Sequence, residues 1–267
     1  MTTKKRVGRS TSHTPLKHKF LNAELGRIVG VLQKRIPAVF AVEPIIIVDY
    51  CAGDGEESVE SPDSSPAIIV KHSHFKDLKS EVYLCEKSPH TFKLLQDNYG
   101  SLATCLNIDS SEFNLTEKLT VPNQAVFLFA DPNNVEQLPV NDNFINALTP
   151  TTTMLLTLGC NVGGLKRLTE EGRRKWFDKV IPILKLSPKW HDVQLIVLNN
   201  DNSQWAYLLT TPTKWQHETI YKLQKIGDKE WIQGVSIYSR NLDGEKIFVN
   251  ALKQLFLTKK ENSCETI

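Results

Sequence analysis

The chain has 267 residues, 40% of them hydrophobic, enough for a full α/β core without covalent staples. Its net charge is +2, and no apolar run approaches the roughly twenty residues of a helical membrane span, so no membrane role is expected. Its five cysteines (Cys51, Cys85, Cys105, Cys160 and Cys264) include no C-x-x-C pair and no zinc-ligand spacing. That excludes a disulfide scaffold or a zinc module and, with no signal peptide, fits a reduced, soluble cytoplasmic chain.

Residues 1–19 carry Lys4, Lys5, Arg6, Arg9, Lys17 and Lys19 and no acid. Such a basic tail either contacts nucleic acid or another anionic partner, or stays solvated and disordered. Next, Phe20, Leu21, Leu25, Ile28, Val29, Leu32 and Ile36 fall at helical spacing, which predicts an amphipathic helix over 20–36. Pro37 and Pro44 punctuate the link to an apolar, β-branched strand at 45–48.

That strand ends at Asp49, and Tyr50-Cys51-Ala52-Gly53-Asp54-Gly55 follows. A buried parallel strand hands over to a ligand-approaching loop in this way. A dinucleotide loop needs a third glycine, and that position holds Ser58. A carboxylate at the strand tip instead suits a ligand with an ammonium group and a nucleoside. An ordinary β-to-α turn is the plain alternative.

Residues 56–66 are rich in Ser, Pro and acid and read as a loop; 67–70 is a short apolar piece of uncertain type. In His72-Ser73-His74, a strand would place both imidazoles on one face, but no third metal ligand is near. A second strand is expected over 81–86. A helix then starts at Ser88-Pro89, with Phe92, Leu94, Leu95 and Tyr99 as candidate buried positions. Further strands are expected at 103–108, 125–130, 152–158 and 193–198, with a helix over 169–185 that aligns Trp176, Phe177, Val180 and Ile181.

Gly159, Gly163 and Gly164 with Lys166 and Arg167 read as an anion-binding loop or a plain connection. Residues 213–226 look helical. Residues 231–238 and 246–255 flank Asn241-Leu242-Asp243-Gly244 and form a hairpin, unless the second arm is a helix. Trp205, Trp215 and Trp231 serve packing or a substrate platform.

Strands alternating with helices imply βαβ units, hence a doubly wound, mostly parallel sheet. The chain divides into a basic tail (1–19), a ligand-binding core (20–200) and a C-terminal extension (201–267) that completes the sheet or forms a substrate or partner surface. Four strands end in an acid: Asp49, Glu86, Asp109 and Asp131. Ligands of such sheets bind at the carboxyl ends of the strands. Folding alone does not require four carboxylates at one edge, so their recurrence marks a site.

In this order the motifs resemble class I S-adenosylmethionine-dependent methyltransferases, whose fold is Rossmann-like. More narrowly, the chain is similar to bacterial three-Cys-motif partner proteins. The likeness runs from His13-Thr14-Pro15-Leu16-Lys17-His18 through the Asp49–Gly55 stretch, Ser65-Pro66 and Cys85-Glu86-Lys87 to Phe127-Leu128-Phe129-Ala130-Asp131-Pro132.

The resemblance implies S-adenosylmethionine as cofactor and no metal. Asp49, Cys51, Ala52, Gly53, Asp54 and Gly55 would hold its methionine part. Glu86, with Lys87 beside it, would take the ribose, since a carboxylate accepts two hydrogen bonds from a diol. Asp109 would sit near the adenine amino group, or cap a helix. Asp131 and Asn133 would stand at the catalytic position, Asp131 also touching the cofactor. Amino-group methyltransferases carry a second proline and an aromatic there; this chain has Asn133 and Asn134. Two functions follow as expectations. One is a methyltransferase acting on a nucleic acid or a nucleotide-containing molecule. The other is a catalytically weak, cofactor-binding subunit that works with a cysteine-motif partner protein.

Overall fold

The structure is a computed structural model. It describes residues 44–56, 64–73, 79–121, 124–132, 138–141, 152–161, 191–200, 203–212 and 232–237, together with residues 18, 21–23, 25, 26, 29, 144, 147 and 148. The helices expected over 169–185 and 213–226, the 246–255 arm and Asn133-Asn134 lie outside the described residues, as do the basic tail before His18 and the glycine loop after Asn161.

Among the described residues, eight strands form one sheet in the order β3-β2-β1-β4-β5-β7-β6-β8. They are β1 (Ile45–Asp49), β2 (Ser80–Cys85), β3 (Thr104–Leu106), β4 (Val126–Ala130), β5 (Thr152–Asn161), β6 (His191–Asn200), β7 (Ser203–Pro212) and β8 (Ile232–Ile237). The first five pair in parallel, with Ile47 of β1 between Val82 of β2 and Phe127 of β4. β7 runs antiparallel to both β5 and β6, and β8 antiparallel to β6. The chain order reverses between β1 and β4: β2 and β3 lie on one side of β1, β4 and β5 on the other. Open α/β sheets bind ligands at such a switch point.

Every residue of β1 and of β4 is buried. Both strands are near-continuous apolar runs, as strands covered on both faces must be. Side chains alternate across the sheet. Ile45 and Ile47 of β1 and Phe127 and Phe129 of β4 share one cluster with Leu21, Leu25 and Val29 of the N-terminal helical stretch and with Ile68, Ile69 and Leu95. Removing a fully buried Phe127 or Phe129 side chain would cost about 3–5 kcal/mol.

Among the described residues this face is covered by α1 (Ser65–Ser73) and α2 (Pro89–Tyr99), together with the N-terminal helical stretch. The α1 helix corrects three expectations. The predicted loop over 56–66 already contains its first turn, the uncertain 67–70 piece is its middle, and His72-Ser73 is helical rather than extended. The cause is local. The Ala67 N–H donates to Ser64 Oγ at 3.3 Å, an N-cap bond at the N3 position, and Pro66 needs no donor in the first turn. A short apolar run cannot declare its period, so the cap decides. His72 Nε2 lies 2.8 Å from Asn22 Oδ1, fastening α1 to the N-terminal helical stretch. No metal-binding cluster occurs among the described residues.

The α2 helix starts where expected, with Ser88 as N-cap, but buries Leu95 alone; Phe92, Leu94 and Tyr99 are half-buried. β3 is shorter than the predicted 103–108 stretch. Asn107 breaks away, its side-chain N–H groups donating to the carbonyls of Glu86 at 2.8 Å and Lys87 at 3.1 Å. β6 and β7 form a hairpin whose last pair is Asn200 and Ser203. No described helix is long and apolar enough to cross a membrane.

Candidate functional site

Asp49 is fully buried at the tip of β1. Its Oδ1 accepts the Cys51 N–H at 3.0 Å, turning the chain out of the strand. The Ala52 N–H then donates to the Cys85 carbonyl at 3.0 Å, tying the loop to the end of β2.

Gly53 and Gly55 follow at φ +67° and +68°, a region that favours glycine. The two serve different ends. A Cβ at Gly53 would meet nothing within 4 Å, so this backbone faces open space. A Cβ at Gly55 would meet Tyr99 Cε2 at 2.3 Å, so this backbone is packed. The Gly55 carbonyl accepts from Ser64 Oγ at 2.9 Å and from the Tyr99 hydroxyl at 3.1 Å, and Asn98 Nδ2 donates to the Asp54 carbonyl at 3.3 Å. The cap of α1 and the last turn of α2 thus clamp the loop from behind. The N–H groups of Gly53 and Asp54 make no hydrogen bond among the described residues. Consecutive N–H groups beside a left-handed residue form a concavity that attracts anions.

Glu86 follows β2 directly and is half-buried. Its Oε1 accepts the Ser88 N–H at 2.7 Å, which fixes the carboxylate. No hydrogen bond reaches Oε2 among the described residues. Asp131 follows β4 and is half-buried, and Pro132 is buried. The sheet order β2-β1-β4 sets these three strand-tip acids side by side. Burial pushes the Cys51 thiol well up, and the charges of Asp49, Asp131 and Glu86 push it further, against a hydrogen bond from the Asp131 backbone.

The fourth acid stands apart. Asp109 caps a one-turn 3-10 helix (Ser110–Glu112), its Oδ1 accepting from the Ser111 N–H at 3.0 Å and the Ser111 hydroxyl at 2.7 Å. Its Oδ2 lies 2.6 Å from Lys87 Nζ. Of the two roles expected for Asp109, the helix cap is visible. A contact with an adenine amino group would have to share oxygens already engaged. Lys87 is likewise turned to Asp109, and Asp54 Oδ1 accepts the Glu56 N–H at 3.0 Å.

The Lys87 hydrogen bond, followed by those from Ser111, lowers Asp109 from 3.8 to about 2. A depressed carboxylate stabilises the fold fully above its unfolded pKa and loses that contribution as pH falls through the folded value. The window therefore runs from about pH 3.8 down to about 2, and the pair's exposure keeps the effect small. Lys87→Met should move the Asp109 carboxyl midpoint up toward 3.8 in an NMR titration. An unmoved midpoint would assign the depression to Ser111 alone.

Sequence reasoning missed the clamp residues Ser64 and Asn98, the strand-ending Asn107 and the ring pair around Tyr50. Phe113 and Phe144 flank Tyr50 with centroids at 5.6 and 5.8 Å. Apart from Ser64's local cap of α1, each acts through a contact distant in sequence.

Sheet order and flanking helices define a Rossmann-like fold, as expected. Superposition on one solved structure agrees on the fold. Protein LPL1258 of Legionella pneumophila superposes with a TM-score of 0.56 at 13% identity, over 86% of this chain and 98% of that one. An O-methyltransferase from Bacillus cereus in complex with SAH gives 0.46 at 11% identity, over 74% and 81%. Cofactor-bound Rv0187 from MTB gives 0.45 at 12%, over 78% and 83%. No family model matches the chain, and no curated protein matches it in sequence.

Proposed function

We propose that the chain is an S-adenosylmethionine-dependent methyltransferase whose acceptor is a nucleic acid or a nucleotide-containing molecule. The observation that carries this reading is the placing of Asp49, Glu86 and Asp131 at the adjacent tips of β1, β2 and β4, beside the open backbone of Gly53.

The residues fit the cofactor part by part. The free N–H groups of Gly53 and Asp54 suit a carboxylate, and Asp49 gives the loop its buried negative anchor. Glu86 is held by Ser88, which leaves Oε2 to accept from a ribose diol. The bound cofactor supplies a methyl group already activated by a sulfonium. What remains for the protein is alignment of the acceptor with that methyl. Asp131, at the tip of β4, is the group placed to accept a hydrogen bond from an acceptor amine and hold its lone pair in line. Asn133, the second catalytic residue we propose, lies outside the described residues.

The nucleic-acid part of the reading rests on the six cations and no acids of the first nineteen residues. The cytoplasmic assignment rests on cysteine usage. The narrower likeness to three-Cys-motif partner proteins has no matching family model, and the enzyme reading does not depend on it.

A second reading draws on Asn133 and Asn134. Without the stacking aromatic, the chain would bind cofactor and act as a partner protein's subunit. Incubation of the full chain with methyl-labelled cofactor and total cellular RNA, DNA or protein separates the two. The enzyme reading expects label in nucleic acid, and a drop of at least about a hundredfold with Asp131→Ala, within the range of a positioned polar group. Cofactor binding without transfer would favour the subunit reading. Undiminished transfer by Asp131→Ala would remove that residue from the chemistry.

A further inference from the structure

Tyr50 stands between the tip of β1 and the glycine loop, and folding does not explain its hydroxyl. The side chain is 2% exposed, and the hydroxyl oxygen has no hydrogen-bond partner among the described residues. The backbone is pinned by its N–H, which donates to the Phe129 carbonyl at 2.9 Å. The ring is held edge-on between Phe113 at 5.6 Å and Phe144 at 5.8 Å. Phenylalanine would keep those ring contacts and avoid the penalty of a buried, unsatisfied hydroxyl.

The position of the ring says what the hydroxyl meets. Phe113 lies on the segment that follows β3, four residues beyond Asp109, and is half-buried. Phe144 comes from the segment after β4. Tyr50 is therefore framed by the segment that follows β3 and the segment that follows β4. With the ribose at Glu86, on the tip of β2, a base directed toward the adjoining β3 would meet the 109–113 segment that follows it. Asp109 cannot serve the base freely, because Lys87 and Ser111 occupy both its oxygens.

We propose that the Tyr50 hydroxyl is a recognition group for the purine of the bound nucleoside, reached when Phe113 swings aside, and that it donates a hydrogen bond to a ring nitrogen. Phe113 is the movable partner, since it is the more exposed of the two rings and sits in extended backbone just after the one-turn 3-10 helix Ser110–Glu112. The inference rests on the cofactor reading above and adds to it a residue outside the acid-and-glycine set.

Tyr50→Phe tests it, since the variant keeps the ring and its packing. Binding of S-adenosylhomocysteine and of 5′-methylthioadenosine, which lacks the amino-acid part, is measured by calorimetry, alongside the melting temperature without ligand. The expected result is an affinity loss of about three- to tenfold for both ligands, the range of one neutral hydrogen bond. The ligand-free melting temperature should stay equal or rise. Affinities within twofold of the wild type would overturn the proposal and leave the hydroxyl an orphan. A loss confined to S-adenosylhomocysteine, or one accompanied by a lower melting temperature, would overturn it too. If the wild-type chain binds neither ligand, the cofactor reading itself fails, an outcome distinct from all of these.

Discussion

Gly55→Ala should destabilise the fold by about 2–5 kcal/mol, while Gly53→Ala should cost only about 1–2 kcal/mol and abolish ligand binding. Both glycines sit near φ +67°, so both substitutions carry the left-handed penalty of an L-residue. Only at Gly55 does the new methyl also strike a neighbour, the Tyr99 ring at 2.3 Å. That ring cannot retreat without releasing the Gly55 carbonyl, which its hydroxyl holds together with Ser64. At Gly53 the methyl enters open space, and the proposed function assigns that space to the cofactor. Denaturant midpoints at unchanged slope read the stability difference, and calorimetry with S-adenosylhomocysteine reads binding. Equal stability of the two variants would contradict the packing argument. Undiminished binding by a folded Gly53→Ala would contradict the assignment of the space.

Glu86→Ala should weaken S-adenosylhomocysteine binding by about 2–3 kcal/mol, roughly thirty- to a hundred-and-fifty-fold, with little change in stability. Its carboxylate is fixed by the Ser88 N–H, so one oxygen is presented without further loss of side-chain freedom. Hydrogen bonds to a charged acceptor are the stronger kind, and a diol makes two. The N-terminus of α2 loses the Ser88 contact, but Ser88 Oγ still caps Thr91 at 3.4 Å. Glu86→Gln, which keeps an acceptor oxygen without the charge, should fall between the two. A variant that binds as tightly as the wild type would place the ribose elsewhere.

The β1 strand and its acid were legible because everything they need lies within eleven residues: a β-branched run, a carboxylate and two glycines. The strand-tip positions of Glu86 and Asp131 were legible for the same reason. The division of labour between Gly53 and Gly55 was not, because it depends on Tyr99, forty-four residues beyond Gly55. Asp109 was readable as a cap or as a ligand contact. Its choice of Lys87, twenty-two residues away, is tertiary.

β7 escaped notice because the expected rhythm places a helix after each strand. The antiparallel hairpin breaks that rhythm, and the polar Asn200-Asp201-Asn202-Ser203 stretch was its turn signal. The N-terminal turn of α1 was hidden in a Ser- and Pro-rich stretch whose composition suits both a loop and a capped helix start.

The central claim is that the strand-tip acids and the glycine loop form one cofactor site. Calorimetric titration of the full chain with S-adenosylhomocysteine tests it most directly. The account predicts saturable one-to-one binding in the micromolar range, weakened by Glu86→Ala and by Gly53→Ala. A folded wild-type chain that takes up no S-adenosylhomocysteine at millimolar concentration would contradict it.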